Sequence, residues 1–594
     1  MHIYFNPLDS VCKSVIGAVS DTTKLKLTAF SADKGKLTLY VKNDFTGKEV
    51  AYPMRKSSGG FFAYLTLPAG LYWYHFATNS ERFGRNADLY AEKGSFDNFQ
   101  LTVFREGGVD DSNVINGKII YQIFPDRFCR VGDFEVGFDK IKRDDWGGEP
   151  TYRNEQGLVK NNEFFGGNFK GIESKLEYLK SLGVGVVYLN PISKAYSSHR
   201  YDTGDYLTVD PVLGTEADLK RLLKKAEKLG ISFVFDGVYN HTGADSAYFN
   251  RYRSYDEVGA YNSKTSKYYP WYDFKKYPDD YVCWWDFINL PSIKKDSKDF
   301  QDFIVEKVLP KYFKLGFKGV RLDVVDELDE SFLQRIRKTA KNFSHDNAVI
   351  GEVWEDATNK TAYGRRRKYF LGDGLDSVMN YPLKDAIVSF LLKQDTTELA
   401  RLIGEQVNNY SSADLKRLMN VLSTHDTPRI ITVLGRNRVV TDKDMLKYER
   451  LDEEQYARGK RLSKIAYVLT YTLYGTPSVY YGDEAGLTGD LDPYNRRCYP
   501  YGSEDKDMLE FFRWLGSVRE SSDAIKSGTT KIIYRDRYVL VYERQYSGER
   551  VFVAVSRNES DVKIKFSHPL TKFGETAYSN EFTLHSDGYL ILKN

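Results

Sequence analysis

The spacing of apolar residues changes twice along this chain. The first hundred residues contain short alternating stretches, KLKLTAF, KLTLYV and GFFAYLTL, separated by turns of Gly, Lys and Asp. Alternation of this kind places apolar side chains on one face of a β-strand. The last 80 or so residues return to it in KIIYRDRYVLVYERQ and ERVFVAVSR. We therefore predict a β-sandwich domain at each end of the chain, over residues 1–108 and 516–594.

Between these ends, residues 109–515 alternate strand-like apolar runs with amphipathic helical stretches. Two of the helical stretches, TEADLKRLLKKAEKLG and DFQDFIVEKVLPKYFKLG, carry apolar residues at helical spacing and end at Gly. Strand-helix alternation predicts a parallel sheet, and eight strands close a barrel. The eight strand-like runs are KIIYQIF, VGVVYLN, ISFVFDG, GVRLDV, AVIGEV, SVMNY, LMNVLS and PSVYY. The predicted fold class is α/β, a (β/α)8 TIM barrel flanked by the two β-sandwich domains.

One connection of this predicted barrel is unusually long. About fifty residues rich in Tyr, Trp, Lys and Asp, roughly 242–292, follow the third strand. A long excursion at the carboxyl end of a barrel strand usually shapes a site. We therefore predict an inserted domain after strand 3.

The composition limits the kinds of partner that the chain is expected to bind. With 85 basic and 82 acidic residues among 594, the chain gives no reason to expect a nucleic acid or an anionic membrane as partner. No stretch reaches the ~18 apolar residues that span a bilayer. The 45 Tyr, 36 Phe and 7 Trp suit the stacking of flat sugar faces, although aromatic residues are more often found in the core.

Cysteine spacing and the first residues bear on metal sites and location. The four cysteines are Cys12, Cys129, Cys283 and Cys498, with no CxxC spacing, so no zinc or redox motif is expected. The N-terminal sequence MHIYFNPLDSVCK has neither a basic leader nor a long apolar run. We expect free thiols and a cytoplasmic location.

Candidate catalytic residues lie where the predicted strands end. The carboxyl ends of barrel strands converge on one face, which is where barrel active sites are built. Polar residues follow four of the eight strands at this face: Asp236, Asn240 and His241 after strand 3, Asp323 after strand 4, Glu352 after strand 5, and His425 and Asp426 after strand 7. A strand-end Asp can also cap the next helix, but four such clusters favour a site.

Two of these carboxylates have the spacing of a sugar-cleaving pair. Arg321 and Asp323 are two residues apart in GVRLDVVDEL, so they share a strand face, and the guanidinium is expected to keep the carboxylate ionised. The helical stretch ESFLQRIRKTAKNF separates Asp323 from Glu352 and makes one strand-helix-strand unit. Neighbouring strands run ~4.8 Å apart, and a retaining glycosidase needs its two carboxyl groups ~5–5.5 Å apart.

Four segments resemble, in order and spacing, the signature regions of the alpha-amylase superfamily, glycoside hydrolase family thirteen: DGVYNH, GVRLDVVDEL, GEVW and STHDTPR. Five more, YQIFPDRF, SHRYDTGDY, CWWDF, LDSVMNYPL and GTPSVYYGDEAGL, are similar to the neopullulanase, cyclomaltodextrinase and maltogenic amylase branch. An N-terminal β-domain ahead of the barrel also fits that branch, where it commonly helps to form a dimer. The resemblance covers residues 121–497 and implies a homodimer as a further expectation.

The resemblance implies roles for the strand-end residues. Asp323 corresponds to the nucleophile, Glu352 to the general acid and base, and Asp426 to the third carboxylate, which stabilises the oxocarbenium-like charge. Arg321 is implied as the ionic partner of Asp323. The residues implied to hold the sugar in subsite −1 are His241 and His425, which donate to it, and Tyr201, which stacks beneath it. Buried structural roles are the alternative for the histidines, and Asp202 and Asp236 are expected to be scaffold.

Further residues are expected on the leaving-group side. Trp354 shares a strand face with Glu352 and is expected to stack the next glucose. Glu327 corresponds to the glutamate of the branch's VANE sequence, while Asp492 and Arg496 of DPYNRR resemble its contacts to distal glucose units, with a salt-bridged surface turn as the alternative. The aromatic residues of CWWDF, Trp284, Trp285 and Phe287, line the cleft or belong to the core of the inserted domain.

The chain departs from the branch in three places. VVDE puts Asp326 where VANE has Asn, which leaves the linkage preference open. The Asn- and Asp-rich calcium loop of the branch is replaced by CRVGDFEVGF and FFGGN, so the oxygen ligands that calcium needs are depleted and no metal or other cofactor is expected. INLPSIK replaces a proline-leucine-asparagine arrangement that marks substrate preference.

The predicted function is retaining hydrolysis of α-1,4 bonds, with tolerance of α-1,6 bonds, in α-glucan oligosaccharides. Two alternatives remain open. The first is a transglycosylase, because a sugar hydroxyl can replace water at the covalent intermediate. The second is a non-catalytic glucan-binding protein, which the presence of all three carboxylates disfavours. The sequence does not distinguish cyclodextrin, pullulan, starch and maltooligosaccharide as substrates.

Overall fold

A computed structural model describes residues 1–436 and 440–594. Its central sheet has eight strands, labelled β1 to β8 in chain order, and each overlaps one of the eight predicted runs. Their bounds are Ile119–Ile123 (β1), Val184–Leu189 (β2), Ser232–Gly237 (β3), Gly319–Leu322 (β4), Ala348–Gly351 (β5), Ser377–Val378 (β6), Met419–Asn420 (β7) and Thr476–Tyr480 (β8).

The strand order of this sheet is β6-β5-β4-β3-β2-β1-β8-β7. Pairings from β5 through β1 to β7 are parallel, as a barrel of strand-helix units requires. Strands β4 and β5 are direct neighbours with Leu322 paired to Gly351, so Asp323 and Glu352 both follow the last pair of the ladder. The predicted barrel is confirmed, and the two carboxylates leave adjacent strands at the same level.

The helices around the barrel have the predicted amphipathic pattern. Helix Glu216–Lys228 begins with a capping box between Thr215 and Asp218. Helix Glu330–Phe343, which connects β4 to β5, is capped by Asp329 and buries Phe332, Leu333, Ile336 and Ala340. Other α-helices of residues 112–526 are Pro125–Phe128, Phe169–Ser174, Leu176–Ser181, Lys298–Phe303, Leu309–Leu315, Tyr381–Lys393, Thr397–Asn409, Ser412–Leu415, Ile430–Arg436, Lys443–Leu446, Glu453–Thr472 and Lys506–Glu520, and Asp523–Ser527 follows.

The predicted insertion after β3 has little regular structure. It contains the 3-10 helices Tyr269–Trp271 and Trp284–Asp286 and a small antiparallel pair, Phe274–Lys276 with Asp280–Tyr281. Aromatic side chains pack on one another here, with Phe249 stacked on Phe274 and edge-on to Tyr272. The insertion therefore has an aromatic core of its own.

The N-terminal region forms two sheets. The larger contains Val19–Ser20, Phe99–Phe104, Gly70–Ala77, Thr38–Asn43, Glu49–Pro53, Arg82–Arg85 and Ala91–Lys93, and the smaller contains Leu25–Phe30, Gly60–Leu65 and Arg55–Ser57. Apolar residues of both sheets share one buried cluster that includes Leu27, Phe61, Tyr74 and Phe99. Two sheets packed on a common apolar core make the sandwich that the alternation predicts.

The C-terminal region is a six-stranded antiparallel sheet. In order across the sheet, its strands are Thr529–Arg535, Val539–Tyr546, Glu549–Ser556, Tyr589–Lys593, Val562–Lys572 and Tyr578–Leu584. Strand Val562–Lys572 pairs with Tyr589–Lys593 on one side and, with a shift of register between Lys565 and Leu570, with Tyr578–Leu584 on the other. Val541, Phe552, Leu570 and Leu592 belong to its buried core.

The chain forms two compact units. One combines Ser112–Glu352 with Met419–Lys526, and the other combines Met1–Asp111, Val353–Leu418 and Ser527–Asn594. The boundaries predicted from the sequence, 1–108, 109–515 and 516–594, stay a prediction. Within the described ranges, no helix is both long and apolar enough to cross a membrane.

Candidate active site

Arg321 and Asp323 are paired at the end of β4. The Arg321 Nη1 atom donates to Asp323 Oδ1 at 2.8 Å, and both side chains are buried. The pairing follows from the two-residue spacing, because residues i and i+2 of a strand lie on one face. The predicted arginine-aspartate pair is therefore present.

The same guanidinium contacts two further carboxylates. Arg321 Nη1 lies 3.0 Å from Asp236 Oδ1, and Arg321 Nη2 lies 2.9 Å from Glu352 Oε2. Residues Asp236 and Arg321 are paired across strands β3 and β4, and Glu352 follows β5, so three adjacent strands deliver carboxylates to one cation. One positive charge thus faces three acidic groups.

The sharing of Arg321 bears on the pKa of Asp323. Burial raises the pKa of the Asp323 carboxyl well above its usual range, Arg321 opposes the shift, and the charges of Glu352, Asp236 and Asp426 add to it. Arg321 thus acts against burial and the neighbouring carboxylates on this pKa. The expectation that Arg321 keeps Asp323 ionised stays a prediction.

Glu352 is held by an ion pair and a hydrogen bond at the end of β5. Its Oε2 atom lies 2.9 Å from Arg321 Nη2 and accepts from the backbone N–H of Val324 at 3.0 Å. Val324 has φ 43° and ψ 51°, the left-handed region that β-branched residues avoid. This unusual backbone directly after Asp323 turns an amide toward the carboxylate of the next strand.

Asp426 and His425 follow β7 and contact each other. His425 Nε2 lies 3.0 Å from Asp426 Oδ2, and Arg496 Nη2 lies 3.5 Å from Asp426 Oδ1. Burial acts to raise the pKa of Asp426, but His425 and Arg496 outweigh it and hold that pKa below its usual range. The Asp426 side chain is 36 % exposed, so an ionised carboxylate faces accessible space.

Tyr201 connects His425 to the Arg321 cluster. Its ring stacks on the imidazole of His425 at 4.9 Å and 4°, and its hydroxyl donates to Asp236 Oδ2 at 2.7 Å. The other ring nitrogen of His425 lies 2.9 Å from Gln122 Nε2. Tyr201, His425 and the carboxylates therefore belong to one network.

His241 is buried beside the inserted segment. Its ring stacks on Trp284 at 5.1 Å, and burial lowers its pKa to about 4, so the imidazole is neutral at pH 7. Among the described residues, its Nε2 atom has no hydrogen-bond partner. A neutral imidazole with an unpaired nitrogen is able to bind a sugar hydroxyl.

The aromatic residues near Trp284 are not core residues. Trp285 is 73 % exposed and Phe287 is 57 % exposed, whereas Trp284 is half-buried against His241. Their exposure excludes a core role for Trp285 and Phe287, and the interpretation that they line the cleft stays a prediction.

The residues predicted to bind the leaving group and the distal glucose units make separate contacts. Glu327 is buried in the 3-10 helix Val325–Glu327 and pairs with Lys295 at 2.8 Å. Asp492 pairs with Lys443 at 2.5 Å, while Arg496 reaches Asp426. Trp354 lies flat on Tyr381, with the ring centres 3.8 Å apart, and is 44 % exposed.

The carboxylates of Asp202 and Asp236 accept hydrogen bonds from other residues of the protein. Asp202 accepts from the Ser197 amide and hydroxyl, and burial together with the neighbouring Asp245 raises its pKa to about 7. Asp236 accepts from Tyr188 at 2.6 Å in addition to Tyr201 and Arg321. These contacts support the scaffold interpretation of both residues.

Sequence reasoning missed several contributors to this site. His199 receives the Tyr201 amide on Nδ1 at 3.1 Å, and burial, with Arg496, lowers its pKa to about 3. Asn190 donates to the Tyr201 hydroxyl at 2.7 Å and accepts from Gln122. A signal existed for His199, which is two residues before Tyr201 in the quoted SHRYDTGDY motif.

No metal centre emerges from the acidic residues. Asn168 of FFGGN caps helix Phe169–Ser174, accepting from the Gly171 amide at 2.8 Å and donating to the Val131 carbonyl at 2.9 Å. In residues 1–436 and 440–594, no group of three or more His, Cys, Asp or Glu side chains has the arrangement to hold a metal ion. The expectation that no cofactor is needed stays a prediction.

A parallel (β/α)8 barrel with acidic residues gathered at the carboxyl ends of its strands defines a class of barrel enzymes that work through carboxylates. Residues 122–530 match the catalytic domain of alpha amylase. The chain belongs to the alpha-amylase family. The resemblance to the alpha-amylase superfamily stated from the motifs is thereby confirmed.

Individual relatives lie in the expected branch. The amylopullulanase of Thermoanaerobacterium saccharolyticum is 31 % identical over 96 % of this chain and 50 % of its own length. The cyclomaltodextrinase of Thermoanaerobacter pseudethanolicus is 31 % identical over 75 % of this chain and 71 % of its own length. The chain spans half or less of the length of the amylopullulanases it matches.

A solved structure agrees with the fold. The cyclic alpha-maltosyl-(1→6)-maltose hydrolase of Arthrobacter globiformis superimposes with a TM-score of 0.68 and 26 % identity. The match covers 81 % of this chain and 99 % of the hydrolase.

Proposed function

We propose that this protein is a retaining glycoside hydrolase that cleaves α-1,4-glucosidic bonds in α-glucan oligosaccharides. The observation that carries the proposal is Arg321, which binds Asp323 at 2.8 Å and Glu352 at 2.9 Å where two neighbouring parallel strands end. Two carboxyl groups gathered around one guanidinium suit the ~5–5.5 Å spacing of the retaining mechanism.

In the first step, Asp323 is the nucleophile and Glu352 is the general acid. The Asp323 carboxylate attacks the anomeric carbon while Glu352, in its protonated form, transfers its proton to the glycosidic oxygen. The carbon–oxygen bond breaks, the leaving sugar departs with a new hydroxyl, and the donor sugar is esterified to Asp323. The contact of Arg321 Nη1 with Asp323 Oδ1 at 2.8 Å supports the role of Asp323 as the attacking carboxylate.

In the second step, Glu352 acts as the general base. The Glu352 carboxylate removes a proton from water, the water oxygen bonds to the anomeric carbon, and the ester bond to Asp323 breaks. The product keeps the α-configuration because the anomeric centre is inverted twice. Asp426, whose pKa is held low by His425 and Arg496, stabilises the positive charge that develops on the sugar ring in both steps.

The sugar in subsite −1 is bound by the neutral His241, by His425 and by the ring of Tyr201. Trp354 and Glu327 serve the leaving-group side, and Asp492 with Arg496 serves glucose units farther away. Relatives named cyclomaltodextrinase and amylopullulanase support cyclodextrins, pullulan, starch and maltooligosaccharides as candidate substrates, with α-1,6 bonds as a second linkage.

The proposal is tested by the anomer and the products formed. Proton NMR during maltotetraose hydrolysis is expected to show the α-anomer of the new reducing end first; initial β-anomer would contradict a retaining mechanism. Digestion of γ-cyclodextrin, pullulan and soluble starch then identifies the substrate. Panose from pullulan indicates α-1,4 cleavage, and maltotriose indicates α-1,6 cleavage.

The alternatives are outcomes of the same experiment. Products longer than the substrate at high maltose concentration would favour a transglycosylase, and glucan binding without any cleavage would favour a non-catalytic binding protein. A homodimer through the N-terminal domain, a cytoplasmic location and independence from calcium stay predictions.

A further inference from the structure

A glutamine of the N-terminal sheet is hydrogen-bonded to the chain segment that follows Glu352. Gln100 lies in strand Phe99–Phe104 and is 5 % exposed. Its Nε2 atom donates to Thr358 Oγ1 at 2.8 Å, and its Oε1 atom accepts from Asn359 Nδ2 at 2.7 Å. The buried side-chain amide therefore forms hydrogen bonds through its nitrogen and its oxygen to two consecutive residues of this segment.

Asp356, in the same segment, forms hydrogen bonds within the segment and to helix Thr397–Asn409. Asp356 Oδ1 accepts from the Thr358 amide at 2.9 Å and from the Thr358 hydroxyl at 2.7 Å, and Asp356 Oδ2 accepts from Asn409 Nδ2 at 2.9 Å. The Tyr410 hydroxyl accepts from the Ala357 amide at 3.2 Å. A buried polar network in which each member has a partner holds one conformation.

A second tether ties the N-terminal region to the hairpin that follows. Arg366 Nε donates to Asp44 Oδ2 at 2.8 Å, and Asp44 Oδ1 also accepts from the indole of Trp73 at 2.8 Å. Asp44 follows strand Thr38–Asn43, and Arg366 ends the hairpin pair Thr361–Ala362 with Arg365–Arg366. Residues 356–366 are thus attached to the N-terminal region at both ends.

This tethered segment begins close in sequence to two residues of the proposed site. Trp354, the proposed platform for the leaving sugar, is two residues before Asp356 and stacks on Tyr381 at 3.8 Å. Glu352 is four residues before Asp356, a length of chain that spans at most ~14 Å. A short covalent path therefore connects Asp356 and Thr358 to Trp354 and Glu352.

We propose that Gln100 is a positioning residue for the leaving-group side of the site, acting through the Asp356–Thr358 segment on Trp354 and Glu352. The N-terminal sheet then has a role in catalysis besides any role in dimerisation. The inference rests on the proposed glycosidase function. It assigns Gln100 to the protonation and binding of the leaving sugar in the first step, so the reaction of a substrate whose leaving group needs neither should be little affected.

Two substrates with different leaving groups test this role. Maltotetraose must have its leaving sugar protonated, whereas α-maltosyl fluoride forms the same type of ester with Asp323 as fluoride leaves without a proton. For Gln100→Ala we expect kcat/KM to fall ~10–100-fold on maltotetraose, because small displacements of a catalytic group are costly, and to fall less than about threefold on the fluoride.

A second variant tests the same contact from its other partner, and a control variant tests whether any change in the N-terminal region has the same effect. Asn359→Ala removes the contact from the loop side, leaves the sheet intact and is expected to show the same selective loss. Thr28→Val, in the N-terminal strand Leu25–Phe30, is the control; Thr28 is 9 % exposed, and the variant should behave like the wild type on both substrates.

Equal losses on the two substrates in folded variants, no loss on either, or the selective loss in Thr28→Val would each overturn the role of Gln100. Wild-type protein that cleaves neither substrate would instead overturn the proposed glycosidase function. The two failures are therefore distinguishable.

Discussion

The backbone N–H of Val324 donates to Glu352 Oε2 at 3.0 Å. Val324 directly follows Asp323 and has a left-handed backbone, with φ 43°. The peptide unit after the proposed nucleophile thus holds the proposed acid. Because a valine in this region costs of order 1–2 kcal/mol, the surrounding structure must favour the conformation strongly.

Glu352→Gln tests the acid and base role directly. The amide cannot supply or remove a proton, so we expect kcat on maltotetraose to fall ~10²–10⁴-fold. Glutamine retains an acceptor for the Val324 amide, so the geometry should persist. Sodium azide, which needs no base, should restore turnover of α-maltosyl fluoride and give α-maltosyl azide. A variant that azide does not stimulate would argue against Glu352 as the base.

Asp323→Asn separates chemistry from stability. Loss of the nucleophile should lower kcat by ~10⁴-fold or more. Because burial and neighbouring carboxylates raise the pKa of Asp323, a neutral amide relieves charge repulsion in the cluster, and the melting temperature should be unchanged or higher. Thermal unfolding and hydrolysis of maltotetraose check the two parts, and wild-type turnover in a properly folded variant would refute the nucleophile assignment.

Trp284 and Trp285 form a matched pair of neighbouring tryptophans. Trp284→Ala removes the ring that stacks on His241, so we expect kcat/KM for maltotetraose to fall about tenfold. Trp285 is 73 % exposed, and Trp285→Ala should change the free energy of unfolding by less than ~0.5 kcal/mol. Michaelis–Menten kinetics and urea unfolding measure these effects, and equal kinetic losses in the two variants would contradict a special role for Trp284.

Lys13 predicts a pH dependence of stability. The side chain is fully buried, with its Nζ atom donating to the Gly17 carbonyl at 2.8 Å and to Asn408 Oδ1 at 3.1 Å, and burial lowers its pKa to about 7. In the unfolded chain the pKa is ~10.4. Between these values the unfolded chain binds a proton that the folded chain does not, so stability rises with pH from about 7 to about 10.

Urea unfolding of wild-type protein and Lys13→Met at several pH values checks this prediction. The wild type should gain up to ~1.4 kcal/mol per pH unit relative to the variant over that range. A difference between the two proteins that does not change with pH would mean that Lys13 stays charged in the folded state.

The strands, their order along the chain and the residues at their ends could be predicted because they depend on local periodicity. The i, i+2 spacing alone placed Arg321 beside Asp323, and the length of one helix placed Glu352 on the next strand. The structure confirms both placements.

The electrostatics could not be predicted in the same way. The pKa of Asp323 depends on Asp236 and Glu352 sharing Arg321, which follows from the register of three strands rather than from any one of them. The pairing of Lys295 with Glu327 similarly joins residues 32 positions apart. The left-handed Val324 runs against the preference of β-branched residues, so local propensity argues against it.

Asp236 shows how four neighbouring carboxylates can perform different tasks. Both of its oxygens accept hydrogen bonds, Oδ1 from Arg321 and Oδ2 from Tyr188 and Tyr201, and its side chain is inaccessible. A carboxylate whose lone pairs are engaged in this way is a poor competitor for an electrophilic carbon. Under the proposed mechanism, hydrogen bonding to the protein therefore makes this residue chemically inert and leaves ester formation to the acid on the adjacent strand.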